Sequence, residues 1–334
     1  MSPANRALWL NAKQDAEMII NEAPYPSLAS NELVIKTKAV AINPADVILQ
    51  KAGVLLTHYP AILGCDAAGI VQEVSPDLAH MFKPGDRVFG TAIRPEATSD
   101  YVVLESPLLA KIPDKADYSD AVVLPLGANT AASCLFEMQT LGLELPRSQA
   151  GQGKTLLIWG ASSSIGSCGV QLGAAAGYEV FAIASMRNHD LLKSIGATEC
   201  FDYHNTDLVS DIVRRLRGRN IVGAYDAISQ PSTIRTLSKI LYQCEGRKLI
   251  AAIAPGAEAH AKHDVSVKTN FGTDVSKSGI GARIWHEFLP LALAAGEFQY
   301  RPSAAVVGHG LESVQKAINL LAQGVSAKKL VVTL

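Results

Sequence analysis

A turn rich in glycine and serine carries residue types that bind phosphate. In the segment 154–176, KTLLIWGASSSIGSCGVQLGAAA, an apolar strand runs directly into a turn and then into a helix. Gly160 permits the turn and Gly166 lets the helix pack closely, so backbone N–H groups and the positive end of the helix dipole can face a pyrophosphate. Ser163 stands where the G-x-G-x-x-G dinucleotide pattern has its middle glycine. The predicted dinucleotide site consists of Gly160, Ser162, Ser163, Ser164, Ile165 and Gly166. The alternative is a tight strand–helix turn that binds no ligand.

The residues after the next predicted strand bear on which nicotinamide cofactor binds. NAD enzymes place Asp or Glu about 20 residues after the turn, where the carboxylate binds the ribose 2′-hydroxyl. Here the strand 179–184 is followed by Ser185-Met186-Arg187-Asn188, without a carboxylate. Arg187 suits a 2′-phosphate by its charge and fork geometry, with a solvated loop arginine as the alternative. We therefore predict NADPH as the cofactor, bound in part by Ser185, Arg187 and Asn188.

Length, composition and charge limit the classes of function. The 334 residues are 48% hydrophobic and 18% charged, which is enough apolar material for two folded domains. A net charge of −1 gives no global basic field, so we expect no binding of nucleic acid or of a membrane surface. The start of the chain does not resemble a signal peptide, and no apolar run is long enough to span a membrane. We predict a cytoplasmic protein whose five cysteines are free thiols.

Two patterns of secondary structure position these residues in an α/β protein. Between about 33 and 110, short β-rich runs broken by Gly and Pro predict a largely antiparallel, partly barrel-shaped domain. Between about 154 and 254, strands alternate with helices as in a doubly wound parallel sheet. Further helices are predicted at 120–142, 283–295 and 311–323, and a closing strand at 328–334. The predicted domains are 1–125 with 265–334, and 126–264.

An ordered set of motifs resembles that of the medium-chain dehydrogenase/reductase superfamily. The motifs are Asn-Pro-x-Asp at 43–46, Gly-x-Asp-x-x-Gly at 64–69, Pro-Gly-Asp-Arg-Val at 84–88, the phosphate turn, and the Phe-Asp-Tyr that ends at Tyr203. Within the superfamily, the chain is similar to the zeta-crystallin-like quinone oxidoreductases and to the fungal trans-acting enoyl reductases. The Ser-x-Arg-Asn segment at 185–188 and the C-terminal 325–331 carry the second similarity. The resemblance implies a GroES-like domain joined to a Rossmann domain.

The chain departs from the superfamily's alcohol dehydrogenases at the zinc positions, where those enzymes need thiolate and imidazole ligands. Asn43 stands where those relatives have the first cysteine, and Cys65-Asp66 stands where they have His-Glu. Leu126-Gly127 lies near the position of the third ligand, and 91–105 contains no cysteine for a structural zinc. We expect no zinc.

The resemblance also implies roles for individual residues. Asn43 is implied as a donor to a carbonyl oxygen, with capping of the turn before Pro44 as the alternative. Tyr59, which lies just before the Gly-x-Asp segment, is a candidate proton donor, with a buried, hydrogen-bonded phenol as the alternative. The resemblance implies Thr130 as a contact of the nicotinamide carboxamide. Further cofactor contacts are implied for Asp46, Tyr203, Ile253 and Lys328, and substrate contacts for Asn270 and Phe271. Asp46 and Asp66 are expected to hold the fold together rather than to perform acid–base chemistry.

The reaction is expected to be the reduction of an activated C=C bond, because alcohol oxidation is difficult when no metal lowers the pKa of the hydroxyl. The substrate would be a small molecule, either a quinone or enone, or the enoyl thioester of a partner polyketide synthase in fungal secondary metabolism. A non-catalytic nucleotide-binding protein and a zinc-independent carbonyl or alcohol oxidoreductase remain alternatives. The sequence does not decide whether the protein is a monomer or a homodimer.

Overall fold

Residues 3–54, 56–92, 94, 96–147 and 151–334 are described by the computed structural model. They fall into two units, Met1–Leu126 with Trp285–Leu334 (unit 1) and Gly127–Ile284 (unit 2). The strands are β1 (Asn5–Leu10), β2 (Ile19–Ala23), β3 (Glu32–Ala41), β4 (Ala61–Ile62), β5 (Asp66–Val74), β6 (Arg87–Thr91), β7 (Tyr101–Glu105), β8 (Leu109–Lys111), β9 (Lys154–Trp159), β10 (Glu179–Ala184), β11 (Ala197–Asp202), β12 (Asn220–Asp226), β13 (Leu249–Ala252), β14 (Ser266–Thr269), β15 (Ser303–His309) and β16 (Lys328–Thr333). The α-helices are α1 (Pro44–Val47), α2 (Tyr118–Ala121), α3 (Pro125–Phe136), α4 (Ser164–Ala175), α5 (His189–Ser194), α6 (Leu208–Leu216), α7 (Pro231–Tyr242), α8 (Ile280–Ala282), α9 (Leu289–Ala295) and α10 (Glu312–Ala322). Ile48–Ala52 and Arg283–Phe288 are π-helical, and 3₁₀ turns lie at Pro76–Leu78, Met186–Asn188, Ala257–His260 and Gly272–Ser276.

Unit 2 is built on a six-stranded parallel sheet in the order β11-β10-β9-β12-β13-β14. The strand order reverses between β9 and β12, which makes a topological switch point. In open α/β sheets, ligands bind outside the carboxyl ends of the strands at such a point. The predicted doubly wound sheet is confirmed, and the phosphate turn after β9 lies at the switch point.

Unit 1 contains a seven-stranded sheet in the order β15-β16-β3-β5-β6-β8, with β7 also paired to β3. The pairings within it are antiparallel except that of β15 with β16. A smaller sheet has the order β2-β1-β4. Apolar side chains of β3, β5 and β16 pack with Val314 and Ile318 of α10 in one core. This is the antiparallel, GroES-like β domain that was expected, and β16 brings the C-terminal segment back to β3.

Small residues let α4 lie close to its sheet in unit 2. A Cβ at Gly169 would lie 2.9 Å from the ring of Tyr225, and a Cβ at Gly173 would lie 3.1 Å from Leu156. Tyr225 is fully buried in β12. The close helix–strand contact holds the N-terminus of α4 beside the end of β9.

Several boundaries differ from those predicted. The segment 120–142, predicted as one helix or a pair of helices, forms the pair α2 and α3, and α3 begins at Pro125 because proline has no N–H for a helix interior but fits the first turn. β15 was not predicted, since its sequence SAAVVGH has little alternation of apolar and polar residues. β14 pairs along its whole length with β13, so 265–284 groups with unit 2, whereas the prediction placed it with the first domain.

Candidate functional site

The phosphate turn has the close backbone packing that its glycines suggest. Gly160 has φ of +71°, and a Cβ there would lie 2.5 Å from Cγ1 of Ile228. A Cβ at Gly166 would overlap the carbonyl oxygen of Gly160 and lie 2.8 Å from Cα of Ala161. Ser163 is the N-cap of α4, and its Oγ accepts the N–H of Gly166 at 3.0 Å. The serine at the middle position of the pattern therefore caps the helix.

Hydroxyl groups surround the N-terminus of α4. The Oγ of Ser164 is buried and makes no hydrogen bond to any residue that the structure describes. The amide Nδ2 of Asn188 donates to Oγ of Ser162 at 3.0 Å and to Oγ of Ser185 at 3.3 Å. Asn188 thus ties the phosphate turn to the segment after β10. A buried hydroxyl without a partner at a helix N-terminus fits an anionic group such as a pyrophosphate.

The side chains expected near a 2′-phosphate lie at the carboxyl ends of adjacent strands. Arg187 follows β10 and is exposed, and Tyr203 follows β11 with 44% of its surface exposed. The ring of Tyr203 lies 4.2 Å from that of His204, measured between centroids. Ile253 follows β13, and its N–H donates to Oγ of Ser229 at 2.8 Å. Arg187, Tyr203 and Ile253 therefore lie on the sheet edge that carries the phosphate turn.

Asp226, which the sequence analysis did not single out, organises the end of β12. Its fully buried carboxyl accepts the N–H groups of Ile228 and Ser229, each at 2.9 Å, and the hydroxyl of Thr233 at 2.5 Å. Burial raises the pKa of Asp226, and these three hydrogen bonds oppose that effect. The turn places Ile228 against Gly160 on the other side of the switch point. An aspartate that ends an apolar strand and is followed by Ser and Thr was the available signal.

Three further predicted residues lie together in unit 2. Asn270 and Phe271 follow β14, and Thr130 packs against the same segment. Gly272 packs on Thr130 of α3, where an added Cβ would lie 2.7 Å from Oγ1 of Thr130. Phe271 is 64% exposed, and its carbonyl oxygen accepts the hydroxyl of Ser133 at 3.0 Å. The Nδ2 of Asn270 is buried and has no hydrogen-bond partner among the described residues. Asn270 thus offers an unused donor in the unit that contains the phosphate turn.

Unit 1 contains a buried polar cluster centred on Asp66. The Oδ2 of Asp66 accepts Nδ2 of Asn43 at 2.9 Å and lies 3.1 Å from Nζ of Lys329. Its Oδ1 accepts the N–H of Leu126 at 2.9 Å, and Lys329 also donates to Oδ1 of Asn43. Asn43 is fully buried with both polar atoms of its amide engaged. This arrangement does not match the predicted role of Asn43 as a donor to a substrate carbonyl.

Asp46 belongs to the same buried region. Its Oδ2 accepts the N–H of Asn43 at 2.7 Å, which closes a capping box at the start of α1. Burial is the main cause that raises the pKa of Asp46 to about 7; the charge of Asp66 adds to it, whereas the Asn43 N–H and Lys329 oppose it. Asp46 is thus engaged within unit 1 at the start of α1, and its predicted contact with the cofactor stays a prediction.

Lys328 and Lys329 have opposite environments on β16. Lys328 is exposed, whereas the side chain of Lys329 is 4% exposed and joins the buried cluster. Successive strand residues point to opposite faces, which accounts for the difference. The prediction named Lys328 for the cofactor and did not identify Lys329, whose partner Asn43 is 286 positions away in sequence.

The donor set in this cluster does not fit a catalytic zinc. Zinc requires thiolate, imidazole or free carboxylate ligands, whereas Asn43 and Asp66 are occupied by the ammonium group of Lys329. Burial and the neighbouring carboxylates raise the pKa of Cys65 well above its usual value, which keeps it a thiol. Across the described residues, no group of three or more His, Cys, Asp or Glu side chains could hold a metal ion.

Tyr59 lies in unit 1 with its ring packed against the core. Its hydroxyl is buried and makes no hydrogen bond within the part of the chain that the structure describes. The predicted alternative, a phenol held by a hydrogen bond, is not what the structure has. A phenol with an uncommitted proton remains a candidate donor.

Comparisons with known proteins agree with this architecture. Residues 29–114 match the family described as alcohol dehydrogenase GroES-like domain, and 164–294 match the family described as zinc-binding dehydrogenase. The dehydrogenase pigH of Monascus ruber is 40% identical over 99% of this chain and 100% of its own length. The trans-enoyl reductase himH of Aspergillus japonicus is 33% identical over 98% of this chain and 97% of its own. The structure of the quinone oxidoreductase from Coxiella burnetii has the same fold, with a TM-score of 0.76 and 21% identity over 99% of this chain and 100% of that one.

Within the described ranges, no helix is both long enough and apolar enough to cross a membrane.

Proposed function

We propose that this chain, which belongs to the medium-chain dehydrogenase/reductase superfamily of oxidoreductases, is an NADPH-dependent reductase of activated C=C bonds. The observation that carries the proposal is the sheet edge in unit 2, where the phosphate turn lies at the switch point and Arg187 follows β10 in place of a carboxylate. The reaction class is supported by the cluster of unit 1, in which oxygens of Asn43 and Asp66 accept from Lys329 and the side chains do not fit zinc.

The residues of unit 2 fit the parts of the cofactor. The N-terminus of α4 and the unpartnered hydroxyl of Ser164 would hold the pyrophosphate. The guanidinium of Arg187 would pair with the 2′-phosphate, with Tyr203 beside it. Thr130 would contact the carboxamide, as the family resemblance implies. Asn188 positions the two loops through its hydrogen bonds to Ser162 and Ser185.

The bound nicotinamide would supply hydride to the β-carbon of an α,β-unsaturated carbonyl compound or a quinone. Negative charge then develops on the carbonyl oxygen, and hydrogen-bond donors that are not otherwise engaged stabilise it. The buried Nδ2 of Asn270 is such a donor, and Phe271 beside it offers an exposed apolar ring to the substrate. Tyr59 is the candidate that gives a proton to the product.

An enoyl thioester is favoured as the substrate by the similarity to the trans-enoyl reductase himH, and a quinone by the fold shared with a quinone oxidoreductase. We propose the enoyl substrate first, delivered by a partner polyketide synthase in the cytoplasm and within fungal secondary metabolism. Binding of NADPH without turnover, or reduction of a simple carbonyl group, would be the competing outcomes.

Stopped-flow measurement of NADPH oxidation separates these readings. The protein is mixed with NADPH and, in parallel, with an enoyl thioester, a benzoquinone and a simple ketone. Rapid oxidation with the thioester or the quinone, together with a saturated or hydroquinone product, supports the proposal and selects the substrate class. Oxidation with the ketone alone, or NADPH binding with no oxidation by any substrate, would overturn it.

A further inference from the structure

We infer that Lys329 is a positioning residue of the reductase, acting as a built-in cation on which the buried cluster of unit 1 is organised. The expected effect of Lys329 on turnover rests on the proposed function. The expected effect of Lys329 on the stability of unit 1 rests only on its contacts.

The contacts of Lys329 are those of a cation in a prepared site. Its ammonium group lies 3.1 Å from Oδ2 of Asp66 and donates to Oδ1 of Asn43. Lys329 is 4% exposed and Asp66 is not exposed at all, so each charge has been removed from water. A buried charge is tolerated when it is paired and hydrogen-bonded, and each group here has both kinds of partner. Removing the ammonium would leave the carboxylate of Asp66 buried without its counter-ion.

The cluster joins three separate segments of unit 1. Asn43 precedes α1, Asp66 begins β5, and Lys329 lies in β16. The Nδ2 of Asn43 also lies 3.6 Å from Sγ of Cys65, which adds the turn before β5 to the same group. These contacts span most of the sequence, and Lys329 supplies their positive charge.

Asp66 connects Lys329 to a helix that carries a proposed site residue. Its Oδ1 accepts the N–H of Leu126 at 2.9 Å, in the first turn of α3. The first N–H groups of a helix have no partner within the helix, and a carboxylate there is stabilised by the helix dipole. Thr130 lies four residues after Leu126 in the same helix. Lys329 thus fixes the carboxylate that accepts the N–H of Leu126 in the first turn of α3.

The first experiment removes the ammonium and then returns it in solution. In Lys329→Ala, the missing atoms correspond to propylammonium. We expect the Tm to fall by roughly 6–20 °C, because one partner of a buried ion pair is lost. At a temperature where the variant is folded by circular dichroism, we expect kcat to fall roughly 10- to 100-fold through misplacement of α3.

Propylammonium chloride should raise both Tm and kcat of Lys329→Ala, whereas propan-1-ol and sodium chloride at equal concentration should not. Wild type and Lys36→Ala, which removes an exposed lysine of β3 in the same sheet, should not respond to any of the three additives. Equal responses to propanol and to propylammonium, or an unchanged Tm and kcat in Lys329→Ala, would overturn the inference. If wild type reduces none of the substrates, the proposed function fails, and the propylammonium effect on Tm still decides the inference.

A second pair of variants covers the case in which Lys329→Ala does not fold. Lys329→Met leaves the charge of Asp66 uncompensated, whereas Lys329→Met combined with Asp66→Asn removes both charges and keeps an acceptor for the Leu126 N–H. We expect the double variant to be more stable than Lys329→Met. A double variant that is less stable than Lys329→Met, with additive losses, would show that Lys329 is not the counter-ion of Asp66.

Discussion

Arg187 is the residue on which the choice between NADPH and NADH depends. Arg187→Ala should raise the KM for NADPH roughly 10- to 100-fold, because charge-assisted hydrogen bonds to the 2′-phosphate are lost. The KM for NADH, which has no such phosphate, should change little. Steady-state kinetics with both coenzymes provide the measurement. Arg217→Ala, which removes an exposed arginine beyond α6, should leave both constants unchanged. Equal losses with the two coenzymes would assign Arg187 another role.

Tyr59 permits a test in which activity and stability separate. Its hydroxyl makes no hydrogen bond to a described residue, so Tyr59→Phe should leave the Tm nearly unchanged. If the hydroxyl gives a proton to the product, kcat should fall about 100-fold. Tyr300→Phe is the matched control, since Tyr300 also has a buried hydroxyl without a partner in the described chain and has no proposed role. A kcat of Tyr59→Phe equal to that of the control would remove Tyr59 from the mechanism.

At the residue scale, the sequence could predict local features better than distant ones. Gly160 and Gly166 were identified because the turn and the helix start are visible within one βαβ segment, and the role of Arg187 at a 2′-phosphate stays a prediction from the same segment. Lys329 was not identified, because its environment depends on Asn43 and Asp66, which are brought to it only by the pairing of β16 with β3 and of β3 with β5. Spacing along the chain does not encode which of two adjacent lysines faces inward.

At the element scale, strands and helices with sharp local signals were predicted closely. β10 has the predicted bounds 179–184, and α10 and β16 lie within one residue of the predicted 311–323 and 328–334, since each combines an apolar run with a turn residue just before it. β1 and β2 were not predicted, because none of the five residues of β2 is buried, three are exposed, and they show no clear alternation. Its position is set by pairing with β1, which is a tertiary effect.

The start of α1 should make the stability of the protein depend on pH. The pKa of Asp46 is raised from 3.8 to about 7, mainly by burial. The folded state therefore holds a proton that the unfolded state releases, and stability falls as pH rises from about 4 to about 7. The contribution of Asp46 to this fall is at most about 4 kcal/mol. Asp46→Asn keeps an acceptor for the Asn43 N–H and has no proton to lose, so it should flatten this slope.

Urea unfolding of wild type and Asp46→Asn at pH 5, 6, 7 and 8 measures the effect. Asp86→Asn is a control of opposite sign. Despite partial burial, Lys111 and the Lys83 N–H hold the pKa of Asp86 below its usual value. That variant should therefore lose stability at neutral pH. Parallel pH profiles for wild type and Asp46→Asn would show that Asp46 titrates as an ordinary carboxyl.

At the scale of the whole molecule, each unit holds its own set of the candidate site residues. Unit 2 has the parallel sheet, the phosphate turn and the unused donor of Asn270, whereas unit 1 has Tyr59 and the cluster around Lys329. The similarity to dehydrogenases and enoyl reductases spans nearly the full chain, so both units belong to the shared architecture. The cation in the cluster of unit 1 is the ammonium group of Lys329 and not a zinc ion. This difference favours the reduction of a C=C bond over zinc-dependent alcohol oxidation.

Metal removal therefore tests the molecule as a whole. The positive charge in the cluster of unit 1 is covalently part of the chain, so dialysis against EDTA and 1,10-phenanthroline should leave both Tm and the rate of NADPH oxidation unchanged. Added Zn²⁺ should not raise the rate, because Asn43 and Asp66 are already bound by Lys329 and the raised pKa of Cys65 disfavours a thiolate. Metal content, Tm and activity are measured on the same sample before and after dialysis. Loss of activity on chelation, with recovery on addition of stoichiometric Zn²⁺, would mean that the cluster rearranges to bind metal and that Lys329 does not occupy it in the active protein.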